Sequence, residues 1–124
     1  MKVLIADDSA LLRKNISKLI VSAFPDGIIS EAEDVGPAME AVSSRKFDVV
    51  ILDLQMPGGS GFDVLEHIKK TANTCPVIIL TNHATEHFRQ KSEELGADFF
   101  LDKSNEYERI VDLLKNITTD RGEE

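Results

Sequence analysis

The chain has 124 residues, of which 42% are hydrophobic, and a formal net charge of −8 at pH 7. This length is typical of one domain with one core, and no apolar run approaches the about 20 residues that a membrane helix needs. The acidic balance argues against a nucleic-acid surface in this segment, because phosphate backbones attract clustered lysine and arginine. Met1 and Lys2 precede an apolar run too brief for a signal peptide, so we expect a cytoplasmic protein.

Five short apolar runs, each followed or closed by polar residues, predict five β-strands. They are rich in Val, Ile, Leu or Phe and are continuously apolar, a pattern typical of strands that are covered on both faces in a parallel sheet. In chain order, the predicted strands are Lys2–Asp7, Gly27–Glu33, Asp48–Asp53, Pro76–Thr81 and Ala97–Asp102.

Between the strands, apolar residues recur at helical spacing and predict five helices. Pro25, Asp26 and Gly27 predict a turn, Ser60 is a predicted helix N-cap, and Gly96 is a predicted C-cap. In chain order, the apolar stripes are Leu12, Ile16, Leu19, Ile20 and Ala23; then, more weakly, Ala38, Ala41 and Val42; then Gly61, Leu65, Ile68 and Ala72; then Phe88, Ser92 and Leu95; and finally Tyr107, Ile110, Val111, Leu114 and Ile117.

Strictly alternating strands and helices indicate an α/β fold. Right-handed crossovers place the helices on both faces, so we predict a doubly wound, five-stranded parallel sheet with five helices. We expect a single domain over residues 1–118 and a polar C-terminal tail over residues 119–124.

Polar side chains follow four of the predicted strands at their carboxyl ends. Asp7 and Asp8 close strand one, Asp53 closes strand three, Thr81 closes strand four, and Lys103 follows strand five. Taken singly, a strand-end aspartate is commonly a helix N-cap, but ligands of open α/β sheets bind at this edge. Three neighbouring carboxylates repel one another, so the group favours a bound cation. Oxygen ligands of this kind suit Mg²⁺ better than Zn²⁺.

A cation held by acids beside an ammonium and a hydroxyl is suited to phosphoryl transfer. The transition state spreads charge over three phosphoryl oxygens, and each of these groups can neutralise one of them. A carboxylate can serve as the nucleophile. His83 and His87 are four residues apart but lack the spacing of a zinc-protease motif, so we do not predict a zinc site there.

Four segments at these positions resemble a response regulator receiver domain. They are I-A-D-D-S at 5–9, V-V-I-L-D-L-Q-M-P-G-G-S-G-F-D-V-L at 49–65, I-L-T at 79–81 and F-F-L-D-K at 99–103. The resemblance covers nearly the whole chain and implies the flavodoxin-like strand order 2-1-3-4-5.

The resemblance also implies a role for each site residue. The implied roles are phosphoacceptor and Mg²⁺ ligand for Asp53, direct Mg²⁺ ligand for Asp8, water-mediated Mg²⁺ ligand for Asp7, backbone-carbonyl ligand for Gln55, switch hydroxyl for Thr81, phosphoryl-pairing lysine for Lys103, and aromatic switch for Phe100. Gln55 and His83 are further implied to tune the lifetime of the phosphoryl group.

The implied partners are a histidine kinase or phosphotransfer protein as donor, and a downstream protein or fused output domain. Signalling is implied through the face of helix four, strand five and helix five, which could also form a homodimer. Such a domain catalyses its own phosphorylation and slow dephosphorylation, and it is a signalling domain rather than an enzyme. Lys103 is followed by Ser104 where the family most often has proline, so we expect a trans bond.

Three alternatives share part of this pattern. A haloacid-dehalogenase-type enzyme also uses an aspartyl phosphate, but it carries D-x-D after strand one, where this chain has Asp7-Asp8-Ser9. A flavodoxin would need a hydroxyl- and glycine-rich phosphate loop at the same place. A pseudo-receiver that binds without being phosphorylated usually lacks one of the acids or the lysine, and this chain keeps them all.

Overall fold

The computed structural model describes residues 1–71 and 75–120. Five parallel strands form one sheet in the order 2-1-3-4-5, as predicted. The elements are β1 Lys2–Ala6, α1 Ala10–Ala23, β2 Ile28–Ala32, α2 Val35–Ser44, β3 Val49–Leu52, α3 Gly61–Lys70, β4 Val77–Thr81, α4 Glu86–Glu94, β5 Phe99–Asp102 and α5 Ile110–Asp120. A 3-10 turn at Tyr107–Arg109 leads into α5.

The helices cover both faces of the sheet and produce two apolar layers. Side chains alternate between the faces along each strand, so Leu4 contributes to one layer while Val3 and Ile5 contribute to the other. Helices α2, α3 and α4 cover the first layer, and α1 and α5 cover the second. All four residues of β3 are buried, which explains why the run is continuously apolar.

The strand register brings the predicted site residues to one edge. Ala6 pairs with Leu52 across β1 and β3, so Asp7 and Asp53 leave neighbouring strands at the same level. Thr81 pairs with Asp102 across β4 and β5, so Lys103 follows at the adjacent position. Strand order therefore places Asp53 between the β1 acids and the β4 hydroxyl.

A tight connection between β3 and α3 shapes the edge beside Asp53. Gln55–Met56 pairs antiparallel with Gly59–Ser60, which reverses the chain. A Cβ atom at Gly61 would lie 2.1 Å from the carbonyl oxygen of Asp53, so only glycine permits this close approach. Ser60 then starts α3 with a capping box that includes Asp63, which confirms the predicted N-cap.

Several local predictions have a clear outcome. The turn at Pro25 and Asp26 is present, and Gly96 has a positive φ of 99° after α4. Helix α5 ends at Asp120, and Thr118 in its last turn is buried and donates its hydroxyl to the Lys115 carbonyl. Residue Ala72, placed on the third stripe, and residues 121–124 of the predicted tail lie outside the described residues.

Every peptide bond among the described residues is trans, including the bond between Lys103 and Ser104. This agrees with the prediction from the serine at position 104. None of the helices in the described ranges combines the length and the apolar character that crossing a membrane requires.

Candidate functional site

Three carboxylates meet at the carboxyl edge of the sheet. Asp7, Asp8 and Asp53 each offer one oxygen, and these oxygens lie within 4.8 Å of one another. Asp7 and Asp53 are only 2% and 3% exposed, whereas Asp8 is exposed. Buried acids this close must be neutralised, because each raises the cost of ionising the other.

Lys103 neutralises the two buried acids. Its Nζ lies 2.7 Å from Oδ2 of Asp7 and 3.0 Å from Oδ2 of Asp53. The lysine side chain is itself only 12% exposed, so solvent screens these contacts weakly. The predicted lysine therefore lies between the two acids rather than on the solvated surface.

The Asp7 residue is fixed through its backbone and its side chain. Its N–H donates to the Ala32 carbonyl at 3.0 Å, and its carbonyl accepts from Nη1 of Arg13 at 2.6 Å. Its Oδ1 accepts from the Ser9 N–H at 2.8 Å, while Oδ2 contacts Lys103. Both carboxylate oxygens are thus engaged by protein donors, unlike a carboxylate that turns freely into solvent.

The charges in this cluster shift two pKa values. Burial raises the pKa of the Asp53 carboxyl above its usual range, although hydrogen bonds from the Gln55 N–H and Lys103 oppose the shift. Burial alone would lower the pKa of the Lys103 ammonium, but hydrogen bonds and attraction from Asp7 and Asp53 outweigh it and raise that pKa.

The donor set fits a small hard cation. Mg²⁺ prefers oxygen ligands at about 2.1 Å in octahedral geometry, which places ligand oxygens about 3 to 4.2 Å apart. The three aspartate oxygens lie within a comparable distance of one another. These residues suit Mg²⁺ by both ligand type and spacing.

Thr81 lies at the end of β4 and is fully buried. Its hydroxyl oxygen accepts a hydrogen bond from the His83 N–H at 3.0 Å, and its carbonyl accepts from the Lys103 N–H at 2.9 Å. The hydroxyl proton is not used in that contact, so the group can donate to an oxygen at this edge. The side chain of His83 is exposed, and its ring is tilted against Phe88.

Phe100 lies on β5 away from the acids. The residue is 8% exposed and packs in the apolar layer with α4, while the guanidinium of Arg89 lies 4.7 Å from the ring centre. Behind it, Glu106 accepts from the Asp102 N–H and pairs with Arg109 at 2.6 Å. Contacts of β5 and the following loop thus tie α4 to the start of α5.

Gln55 is exposed next to the acids. Its backbone N–H donates to Oδ1 of Asp53 at 3.1 Å. A cavity of about 580 Å³ opens beside it and is lined by Asp8, the hairpin residues, Phe62 and Phe88. The site is therefore accessible from the side of α3 and α4.

Sequence reasoning missed Arg13 and its partner Glu31. Arg13 contacts the Asp7 carbonyl, and its Nε lies 2.8 Å from Oε1 of Glu31. The one available signal is that Arg13 lies one helical turn after Ser9, at the start of the helix that follows Asp8. Its link to Glu31 depends on the packing of α1 against β2, which motif spacing does not reveal.

A doubly wound parallel sheet with acids, a hydroxyl and a lysine at its carboxyl edge is typical of a phosphorylation-dependent signalling domain. Comparison with known families agrees, because the response regulator receiver domain model matches residues 3–115. The chain therefore belongs to the response regulator receiver domain family.

Similar proteins carry the same domain in longer chains. A protein-glutamate methylesterase/protein-glutamine glutaminase from Koribacter versatilis is 37% identical over 108 residues, which cover 86% of this chain and 30% of that protein. The transcriptional regulatory protein YdfI of Bacillus subtilis is 35% identical over 109 residues, which cover 88% of this chain and 51% of that protein. The chain thus spans about half or less of the length of these relatives.

A solved structure shows the same architecture. A DNA-binding response regulator of the LuxR family from Staphylococcus aureus superposes with a TM-score of 0.84 at 28% identity, covering 94% of this chain and 97% of that one.

Proposed function

We propose that Asp53 accepts a phosphoryl group from a phosphohistidine of a histidine kinase or phosphotransfer protein. The observation that carries the proposal is the bridging of Asp7 and Asp53 by Lys103, with Asp8 beside them. A carboxylate surrounded by cationic and metal-binding groups is the arrangement that phosphoryl transfer to an acid requires.

The reaction would proceed by in-line attack. An oxygen of Asp53 forms a bond to phosphorus while the phosphorus–nitrogen bond of the donor breaks, and the electron pair stays on the imidazole nitrogen. Lys103 and the Thr81 hydroxyl would each take one phosphoryl oxygen. Asp7, Asp8, Asp53 and the Gln55 carbonyl would hold Mg²⁺, which when bound supplies positive charge for a phosphoryl oxygen.

The strand order supports Asp53 over the other acids as acceptor. Asp53 directly follows the central strand β3, with Asp7 and Asp8 after the strand on one side and Thr81 at the end of the strand on the other. It is the one acid of the three with metal ligands on one neighbouring strand and a hydroxyl on the other.

Phosphorylation would change the face formed by α4, β5 and α5. Thr81 would move toward the phosphoryl oxygen, and Phe100 would follow into the adjacent space, biasing a two-state equilibrium. Phe100 already packs inward in the apolar layer with Arg89 over its ring, so the proposed switch is a further shift of a buried ring. Exposed side chains of Gln55 and His83 would control access of water and so the lifetime of the phosphoryl group.

The output is proposed to lie outside this segment. The relatives are longer than the chain, which fits a fused effector domain or a separate partner protein in the cytoplasm. A homodimer through α4, β5 and α5 is a further form of output. The net charge of −8 gives no support to direct nucleic-acid binding by this segment.

Intact-mass measurement tests the phosphorylation step. Wild type and Asp53→Asn are incubated with acetyl phosphate, each with Mg²⁺ and with EDTA. We expect one added phosphoryl group in the wild type with Mg²⁺ only, and none in the variant. A folded wild type that gains no mass would instead identify a pseudo-receiver that binds partners without phosphorylation.

A further inference from the structure

Arg13 lies beside the acid cluster and contacts its backbone, although no motif of the site includes it. The Arg13 side chain is 12% exposed. We propose that Arg13 is a positioning residue that fixes the Asp7–Asp8 peptide and thereby places the Asp8 carboxylate for the metal. The inference rests on the proposed function, because it concerns the affinity of the same site for Mg²⁺.

The argument begins with the peptide group between the two acids. The carbonyl of Asp7 and the N–H of Asp8 belong to one rigid plane. Nη1 of Arg13 donates to that carbonyl at 2.6 Å. Rotation of the plane would break this contact and move the Asp8 backbone, while the buried Asp7 side chain stays fixed by Ser9 and Lys103. Arg13 thus restrains the part of the turn that carries the exposed acid.

Glu31 sets the orientation of the guanidinium. Nε of Arg13 donates to Oε1 of Glu31 at 2.8 Å, from the edge strand β2. Because the guanidinium is planar, a contact at Nε fixes the direction of Nη1 as well. Lysine cannot reproduce this geometry, since Arg13 reaches its two acceptors from two separate nitrogen atoms of one plane and lysine has a single nitrogen atom.

If Arg13 is removed, positioning and simple charge repulsion predict opposite changes in the affinity for Mg²⁺. A guanidinium near a cation site repels Mg²⁺, so its removal should tighten binding if charge alone mattered. If Arg13 positions Asp8, its removal should weaken binding, and groups that orient metal ligands change affinity by about tenfold or more. The double variant Arg13→Gln/Glu31→Gln removes one positive and one negative charge, so it isolates positioning from net charge.

Isothermal titration calorimetry with Mg²⁺ alone is the test. Arg45→Gln is the matched control, because Arg45 also donates to a β2 side chain, Ser30 Oγ at 3.0 Å, yet lies on the α2 side of the fold. The heat of Mg²⁺ binding that is lost in Asp8→Asn is the heat that arises at the acid cluster. Thermal unfolding in EDTA measures structural loss separately, since a purely structural role would lower the melting temperature without changing the Kd of the folded protein.

We expect Arg13→Gln and the double variant to bind Mg²⁺ about tenfold more weakly than wild type. Arg45→Gln should match wild type, and Arg13→Lys, which keeps the charge and is the least disruptive change, should bind as weakly as Arg13→Gln. Wild-type affinity in the double variant and in Arg13→Lys would overturn the role of Arg13 while leaving the metal site intact. Absence of any wild-type Mg²⁺ binding sensitive to Asp8→Asn would instead overturn the proposed metal site itself.

Discussion

Removal of the Lys103 ammonium should strongly destabilise the metal-free protein. In Lys103→Met, the carboxylates of Asp7 and Asp53, with side chains 3% and 4% exposed, lose their shared counter-ion. Removing one partner of a buried ion pair typically costs about 3 to 5 kcal/mol. We expect about 3 kcal/mol, because Asp53 can relieve part of the cost by taking up a proton.

Urea unfolding in EDTA at pH 7.5 measures this effect. With an m value of about 1.5 kcal/mol/M, the midpoint should fall by about 2 M. Asp53→Asn in the Lys103→Met background should reduce the loss to about 1 to 2 kcal/mol, because one of the two uncompensated charges is removed. A loss below about 0.5 kcal/mol, the size of an ordinary surface substitution, would refute the assignment, as would one that Asp53→Asn leaves unchanged.

Lys69→Met provides the matched control for this cycle. Its ammonium lies 3.2 Å from Oδ2 of Asp98 and 3.3 Å from the Cys75 carbonyl oxygen, and the side chains of Lys69 and Asp98 are 25% and 41% exposed. Exposed ion pairs contribute at most about 1 kcal/mol. The same substitution should therefore cost much less at position 69 than at position 103.

Three further predictions concern single residues of the site and its support. Asp53→Asn should stabilise the Mg²⁺-free protein at neutral pH, because the raised pKa of Asp53 means that folding disfavours its ionised form. Melting temperatures measured across pH should show this gain in stability vanishing as the pH falls through the folded pKa to the unfolded value of about 4. Gly61→Ala should lower the free energy of unfolding in urea by about 3 kcal/mol, since its Cβ would lie 2.1 Å from the Asp53 carbonyl oxygen. Gly36→Ala is the control and should stabilise the protein slightly, because nothing lies within 4 Å of the added Cβ. Equal effects of the two substitutions would contradict the close approach at Gly61. Thr81→Ala should keep phosphorylation of Asp53 but reduce the activated population, seen as a smaller change in β5 and α5 amide NMR shifts on phosphorylation; a full wild-type shift would exclude Thr81 from the switch.

Much of the fold could be predicted from the sequence because the inner strands β1, β3 and β4 are buried on both faces. The expectation of two covered faces is wrong for β2, which lies at the edge of the sheet and leaves Ile28 and Glu31 exposed. The continuous run of Val49 to Leu52 required a covered central strand, and β3 is that strand. The meeting of Asp7, Asp8 and Asp53 followed from a general property of parallel sheets, in which carboxyl ends share one edge. Neither inference needed a side-chain orientation.

Contacts that depend on side-chain direction and helix placement could not be predicted in the same way. Arg13 and Glu31 are 18 residues apart and meet only because α1 packs beside the β2 edge. The contact between the Arg89 guanidinium and the Phe100 ring likewise depends on how α4 packs against β5. The polar sequence at the end of α5 also gave no sign that Thr118 is buried, with its hydroxyl donating to the Lys115 carbonyl.

The central claim is that Asp53, and neither of the two neighbouring acids, receives the phosphoryl group. Treatment of the phosphorylated protein with borohydride reduces an acyl phosphate to the corresponding alcohol, and peptide mapping then identifies the residue. We predict homoserine at position 53 alone, dependent on Mg²⁺ and on the phosphodonor. Homoserine at position 7 or 8, or none in a protein that has gained phosphoryl mass, would contradict the assignment of the acceptor.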